Sequence, residues 1–385
     1  MGDKSAVKQN DLKVSYNPSW FLKDLPVRAS YFQYLINGEQ AFNKLYEEIE
    51  QAKISVDIAI WGFQPSMFFK RDGKSLCIGD LLAKKALEGV KVRVLIWSME
   101  VRVSVRPQTG MVDTTNMGRN KFSYVDGVPG QTEAQKEYDL LWYYATGLDK
   151  YDKRDPNFRG GKDVLIEINL KRSLNTNKRF SLLKLLKEHS IYQSNLVVYT
   201  RSVEFQNEKF LDRDLSYEHA GILKTTATHH QKTVLIDYEN PKTARGFILE
   251  HNMLDNYWST NRHLIKQVAP NLGKNVPTPL QDHSSFIQGP NLFDINTNFC
   301  DAWNKVALEN QKISAKRLAI KAQEIPALSP VVAMQIVRTY DSPNLEQIKL
   351  LYLQNIKKTT SYIYTENQYF RWPPLVEEFK SIGKI

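Results

Sequence analysis

The segment Thr228-His229-His230-Gln231-Lys232-Thr233-Val234-Leu235-Ile236-Asp237 sets an imidazole and an ammonium two residues apart at the head of an apolar, β-branched run. On a strand, positions i and i+2 face the same side, so His230 and Lys232 are expected to share one pocket while the residues beyond them anchor in the core. A neutral imidazole can attack phosphorus, and a neighbouring ammonium can hold the non-bridging oxygens. The pattern is therefore half of a site for cleaving a phosphodiester through a phosphohistidine. Asp237, at the far end of the run, reads either as part of that chemistry or, more naturally, as a structural pair at the strand end. His229 and His251 suggest a metal site with His230, but His229 must face away from His230 and no acid or cysteine stands at ligand spacing. No metal is expected.

The elements that must position these residues follow from hydrophobic periodicity. Gly38–Gln51 has Phe42, Leu45, Tyr46 and Ile49 at helical spacing, and Ile54–Trp61 reads as a buried strand. Ile78–Glu88 reads as a helix stopped by Gly89, and strand Val90–Trp97 follows. That rhythm predicts a parallel α/β sheet with short links. The stretch from about 100 to 163 is rich in turn residues and reads as an insertion. Its Trp142, Tyr143 and Tyr144 suit either a lipid interface or an ordinary core. Later strands are expected at Val164–Ile168, Asn195–Thr200, Thr233–Asp237, Gly246–Glu250, near Val331–Arg338 and at Tyr362–Thr365. Helices are expected around Phe180–Glu188 and Asn344–Lys357. The strand–helix–strand order after residue 330 echoes that of residues 30–61.

With 385 residues, 42% hydrophobic and 24% charged, the chain can bury a sizeable core. Its formal net charge of +10, from 52 Lys+Arg against 42 Asp+Glu, favours anionic partners such as phospholipid, nucleic acid or phosphorylated small molecules. Two cysteines, Cys77 and Cys300, exclude a disulfide framework and a thiolate metal cluster. The polar N-terminus has no signal-peptide core, and no apolar run approaches the roughly 18 residues needed to cross a bilayer. The chain is thus expected to be made in a reducing cytoplasm, with any export independent of Sec-type signals.

The His-x-Lys-x4-Asp pattern resembles the phospholipase D superfamily, whose members pair two such motifs. Four further features support the resemblance. Asn252 follows in GFILEHNM; Asp282 opens QDHSSFIQGPNLFDINTNFCDAWN; Gly289-Pro290 leads into a helix ending near Trp303; and TENQYF opens what looks like a second half. By the resemblance Asn252 donates to the phosphate, and Asp282 hydrogen-bonds the nucleophilic histidine and fixes its tautomer. The family has Gly-Gly or Gly-Ser two and three residues before the Asn, where this chain has Leu249 and Glu250. Glu250 sets a repelling carboxylate near a phosphate. Glu366 would touch the substrate from the second half, or serve structurally at a strand end.

The resemblance implies an αβα sandwich with a mixed central sheet, helices on both faces and the site at one sheet edge. Residues 1–335 would form the first half and 336–385 the beginning of a second. The implied catalytic set is His230, Lys232, Asp237, Asn252 and Asp282, with Lys232, Asn252 and Glu366 binding substrate and no cofactor. The implied reaction is hydrolysis of a glycerophospholipid head group. The aromatic-rich first half and HNMLDNYW look most like bacterial type VI secretion phospholipase effectors. That likeness implies a target-cell phospholipid membrane, an immunity protein and a secretion-apparatus adaptor as partners, with no specific nucleic acid. Only one His-x-Lys-x4-Asp is present, so a complementary segment or chain carrying the second motif is also expected. A nuclease of the superfamily and a catalytically incomplete membrane-binding fragment are the alternatives.

Overall fold

Two apolar runs make the middle of a mixed sheet. SVDIAI (β2, Ser55–Ile60) is buried at every position, its polar Ser55 and Asp57 included, and KVRVLIW (β3, Lys91–Trp97) is buried from Val94 onward, because both faces of these strands are covered. The computed structural model describes residues 18–97, 129–146, 195–201, 228–321, 323–325, 330–340, 345–367, 370 and 372–383. The remaining strands are β1 (Arg28–Ile36), β4 (Leu196–Arg201), β5 (Thr233–Ile236), β6 (Arg245–Ile248), β7 (His283–Gln288) and β8 (Val331–Met334). They form one sheet of order β4-β3-β2-β5-β6-β7-β1-β8. β2, β3 and β4 run parallel, whereas β2–β5, β5–β6, β6–β7 and β7–β1 pair antiparallel. The expected mixed sheet is present. The expected segments Val164–Ile168 and Phe180–Glu188 lie outside the described residues.

Alternation along the strands sorts the core into two layers. Val56, Ile58 and Ile60 of β2 and Val234 and Ile236 of β5 join one cluster with α1 (Asn37–Glu50) and α2 (Ile78–Leu87). There Ala41, Phe42, Leu45, Ile49, Leu81 and Leu82 are fully enclosed at helical spacing. The opposite face meets α4 (Leu292–Val306), which packs on β4, β5 and β6. Gly246 allows that approach, since a Cβ there would lie 2.5 Å from Leu292 Cδ2. Helices thus cover both faces, as expected of an αβα sandwich. α3 (Glu133–Ala145) joins the first layer through Tyr138, Trp142 and Tyr143. Trp142 and Tyr143 are completely buried, so of the two readings of these aromatics the core reading holds; the side chain of Tyr144 lies outside the described residues. A short helix, α5 (Ala315–Leu318), brings buried Arg317 to Asp57 and Glu239.

The chain divides into two compact units, Ala29–Val332 and Met1–Arg28 with Ala333–Ile385. In the smaller unit β9 (Thr339–Tyr340) and β10 (Leu345–Glu346) pair antiparallel, followed by α6 (Gln347–Ile356) and α7 (Pro373–Ile382). The Gln335 and Gln354 amides donate to backbone carbonyls of Ser19, Phe21, Leu22 and Leu25, tying the N-terminal segment down. The expected strand Tyr362–Thr365 is not formed. That segment is irregular, with Tyr362 84% and Tyr364 78% exposed, because alternating aromatics make a strand only where a neighbour offers a ladder.

Candidate active site

β5 is the fourth strand of the sheet, so His230 and Lys232 stand at the end of an interior strand. The expectation of a site at a sheet edge is corrected accordingly. β5 pairs with neighbours on both sides, and the chemistry opens where the strands end. His230 and Lys232 precede the first paired residue, Thr233, in extended chain. Lys232 Nζ lies 3.4 Å from His230 Nδ1 and 3.4 Å from the His230 carbonyl oxygen, so the expected meeting of these two side chains is observed.

Gln231, between them, shows why they face one way. Its Oε1 accepts from Arg201 Nη2 at 3.0 Å and from Asn298 Nδ2 of α4 at 3.3 Å. That anchors the odd position on the α4 face and turns the even positions, His230 and Lys232, to the other. The Lys232 carbonyl accepts from Leu249 N at 2.9 Å, which carries the β5–β6 pairing to the mouth of the site. Over His230 lies Trp61, its ring edge-on at 5.6 Å and itself stacked on Trp97 at 5.8 Å. In the sequence Trp61 and Trp97 stand only as the ends of apolar strands, and no residue type marks Gln231 for a role. The alternation of faces was the one signal that could have found Gln231.

Asn252 is completely buried. Its Oδ1 accepts from Gly62 N at 3.2 Å, while its Nδ2 has no hydrogen-bond partner among the described residues. Gly62 follows Trp61, and a Cβ there would lie 2.8 Å from Leu254, so only glycine lets the end of β2 approach this loop. The two loops are zipped by Met253 N to the Gly62 carbonyl at 3.0 Å and Gln64 N to the Met253 carbonyl at 2.8 Å. A buried amide with a fixed acceptor and a spare donor suits an anionic oxygen. Beneath this lies a buried pair, Arg71 and Asp255, with Gln64 and Gln135 both donating to Asp255 Oδ2 at 2.9 Å.

Leu249 and Glu250, where the family carries small residues, divide their tasks. Leu249 is 3% exposed and packs in the first core layer, whereas Glu250 is exposed. Ser284 Oγ accepts from Glu250 N at 3.3 Å and lies 2.7 Å from His251 Nδ1. Burial pushes the His251 imidazole down to about 3, so it is neutral and has no proton to give as an acid at neutral pH.

Asp282 is not hydrogen-bonded to His230. Its backbone is pinned to Asn37 in both directions, at 2.9 and 3.3 Å, and its Oδ1 accepts from His283 N at 3.3 Å. Burial and the nearby charge of Glu250 raise its carboxyl above the usual range, with Lys232 opposing. The expected Asp–His contact is therefore replaced by a position from which Asp282 acts on the Lys232 charge. Asp237 lies at the other end of β5, where its carboxylate accepts from the backbone N–H groups of Lys53, Ile54 and Ser55. That place at the strand end suits the structural of its two readings. Glu366 lies in the smaller unit and accepts from Tyr364 Oη at 2.9 Å.

The charges at the mouth explain the protonation states. Burial first, and then the Lys232 ammonium, push the His230 imidazole down to about 4, leaving it neutral at pH 7. Burial lowers the Lys232 ammonium, while Glu250 and Asp282 hold it up. Glu250 is thus an internal competitor for the cation that a phosphate would use. Glu250→Gln is expected to tighten the binding of inorganic phosphate several-fold, read by calorimetry. Unchanged or weaker binding would show that the Glu250 charge does not bear on the anion site.

Among the described residues no cluster of acids, histidines and cysteines could hold a metal ion. No family model matches the chain. In sequence it is 20% identical over an alignment of 415 positions, gaps included, to phospholipase D alpha 1 of Zea mays, a match covering 90% of this chain and 41% of the relative. It is 22% identical over 394 such positions to phospholipase D beta 1 of Arabidopsis thaliana, covering 86% and 30%. The chain thus spans less than half the length of these relatives. Among solved structures it is similar to NucT from Helicobacter pylori, with a TM-score of 0.32 and 12% identity over 72% of this chain and 98% of that one. Over most of its length, then, the chain is similar to proteins of the phospholipase D superfamily.

Proposed function

We propose that this chain carries the nucleophilic half-site of a phospholipase D-type phosphodiesterase that hydrolyses glycerophospholipid head groups. The observation that carries the reading is the His230–Lys232 pair: an imidazole neutral at pH 7 and a buried ammonium side by side, Lys232 Nζ 3.4 Å from His230 Nδ1. An arriving phosphate draws the ammonium onto its oxygens and leaves the imidazole nitrogen free, while the spare Asn252 amide donates to another oxygen. The nitrogen lone pair forms the N–P bond as the bond from phosphorus to the head-group oxygen breaks. Water then attacks phosphorus and the N–P bond breaks, giving phosphatidic acid and regenerating the imidazole.

The head-group alkoxide needs a proton, and a histidine held neutral down to pH 4 does not have one to give. With one His-x-Lys-x4-Asp in this sequence, we assign the acid to a second such motif brought by another segment or chain. The effector role at a target-cell membrane, with its adaptor and immunity partner, is proposed on the sequence resemblance alone.

The test separates the two steps. An activated phosphodiester with a p-nitrophenolate leaving group needs no acid, so the chain alone is expected to release nitrophenol and trap an acid-labile phosphate on His230, seen by phosphorus NMR and peptide mapping. Phosphatidylglycerol or phosphatidylethanolamine should turn over once a second-motif segment is added, and a primary alcohol should then yield the phosphatidyl alcohol. Absence of the adduct would end the nucleophile assignment. Cleavage of DNA with indifference to both lipids would end the phospholipid assignment.

A further inference from the structure

We propose that the loop Thr260–Lys274 is a preformed docking element for an anionic phospholipid bilayer; the inference deepens the phospholipid reading and rests on it. The base of the loop is clamped by buried Arg71. That guanidinium donates to Asp255 Oδ1 before the loop at 2.7 Å, to the Gly273 carbonyl at 2.6 Å and to Asn275 Oδ1 after it at 2.7 Å. It also lies over the Trp258 ring at 4.5 Å, and the Trp258 indole donates to the Phe69 carbonyl at 3.0 Å. Within the loop, Val268 N bonds the Lys274 carbonyl and Leu272 N the Ala269 carbonyl, while Gly73 N reaches over to the Asn271 carbonyl.

This fixed backbone holds its apolar side chains in water. Leu264 is 51%, Ile265 73%, Val268 41% and Leu272 61% exposed. Leu264, Val268 and Leu272 line one open cleft together with Lys266 and Lys70, with Glu39 and Asp72 its acidic members, so the apolar and cationic groups adjoin. From Trp258 to Gln281 the sequence has Arg262, Lys266 and Lys274 and no acid at all. Exposed apolar side chains beside Lys266 and Lys70, on a clamped loop whose own charges are all positive, match the two layers of an anionic membrane surface: acyl chains for Leu264 and Ile265, headgroup phosphates for Arg262 and Lys266. The loop leaves the core beside the candidate site, since Asp255 at its base follows Asn252 by three residues.

The experiment is sedimentation of the full chain with vesicles of phosphatidylcholine alone or mixed with phosphatidylglycerol. Wild type should pellet with the mixed vesicles and bind neutral ones at least tenfold more weakly. The double change Leu264→Ser with Ile265→Ser, and separately Lys266→Glu, should each weaken binding to mixed vesicles tenfold or more. Melting temperature and nitrophenol release from the soluble activated phosphodiester should stay as in wild type. Wild type that ignores mixed vesicles, or variants that bind as tightly as wild type, would overturn the docking element. A changed melting temperature in the double variant would overturn it too, by showing that the protein itself covers these side chains. Vesicle binding by a wild type that forms no phosphate adduct would leave the docking element standing and remove the catalytic reading.

Discussion

His230→Ala is expected to remove nitrophenol release from an activated phosphodiester by at least about three orders of magnitude, because loss of a covalent nucleophile leaves only binding and electrostatic assistance. The fold should be untouched. His230 precedes the first residue of β5, and among the described residues its ring meets the Trp61 edge and the Lys232 amine, neither of which holds the core together. Retention of more than a few per cent of the rate, at equal melting temperature, would remove His230 from the mechanism. The pH dependence supplies a second reading from the same residue. Burial and the Lys232 charge lower the imidazole to about 4, so the nucleophile is deprotonated above that pH and disabled by protonation below it. For wild type, kcat/KM on the activated substrate should hold steady from pH 7 to about 5 and fall through about 4. An acid limb near 6.5, the ordinary histidine value, would mean that Lys232 and burial do not act on this ring. Lys232→Met should raise the His230 titration seen by NMR, since the cation that opposes the imidazolium is gone.

Much of the scaffold was legible because its signals are local. Phe42, Leu45, Tyr46 and Ile49 fall on one helical stripe, and ISVDIAIW and VKVRVLIW are apolar runs too short for helices; these became α1, β2 and β3 within a residue or two. The shared face of His230 and Lys232 was legible for the same reason, since two-residue spacing in extended chain is a local fact. What failed depended on partners far away in sequence. Asp282 has the right order in the chain to meet His230, yet order does not fix a distance, and Asn37 pins the Asp282 backbone elsewhere. Tyr362–Thr365 has strand composition but no ladder beside it. The aromatics Trp142 and Tyr143 fitted interface and core equally as residue types, and only the packing of α3 against Phe63 and Gly79 decides for the core. The exposed apolar groups of the proposed docking loop are instead in Thr260–Lys274, a segment without periodicity, where only the exposure of Leu264 and Ile265 reveals them.

Asp237→Ala is expected to be the most destabilising single change in the motif and to act on stability rather than on chemistry. The residue is 2% exposed and holds a left-handed backbone, with φ of 51°, where aspartate is tolerated better than alanine. Its carboxylate accepts from Ile54 N at 2.7 Å, Lys53 N at 2.9 Å and Ser55 N at 3.1 Å, and Arg245 Nη2 stands 3.5 Å away. These bonds lock the turn after α1 to the end of β5 and so set the β2–β5 register, in which Val56 faces Ile236. Alanine would leave three buried or half-buried backbone N–H groups without their acceptor and Arg245 with Glu48 alone, a loss on the order of 3–5 kcal/mol. Such a loss corresponds to a fall in melting temperature of roughly 5–10 °C in a unit of this size. Asp237→Asn keeps one acceptor oxygen and the left-handed preference, so its loss should be about half as large. In both variants, nitrophenol release per folded molecule should stay within a few-fold of wild type, because the site lies at the opposite end of the strand. A collapse of that rate with an unchanged melting temperature would return Asp237 to the chemistry; the opposite pattern fixes it as the residue that holds β5, and with it His230 and Lys232, against β2.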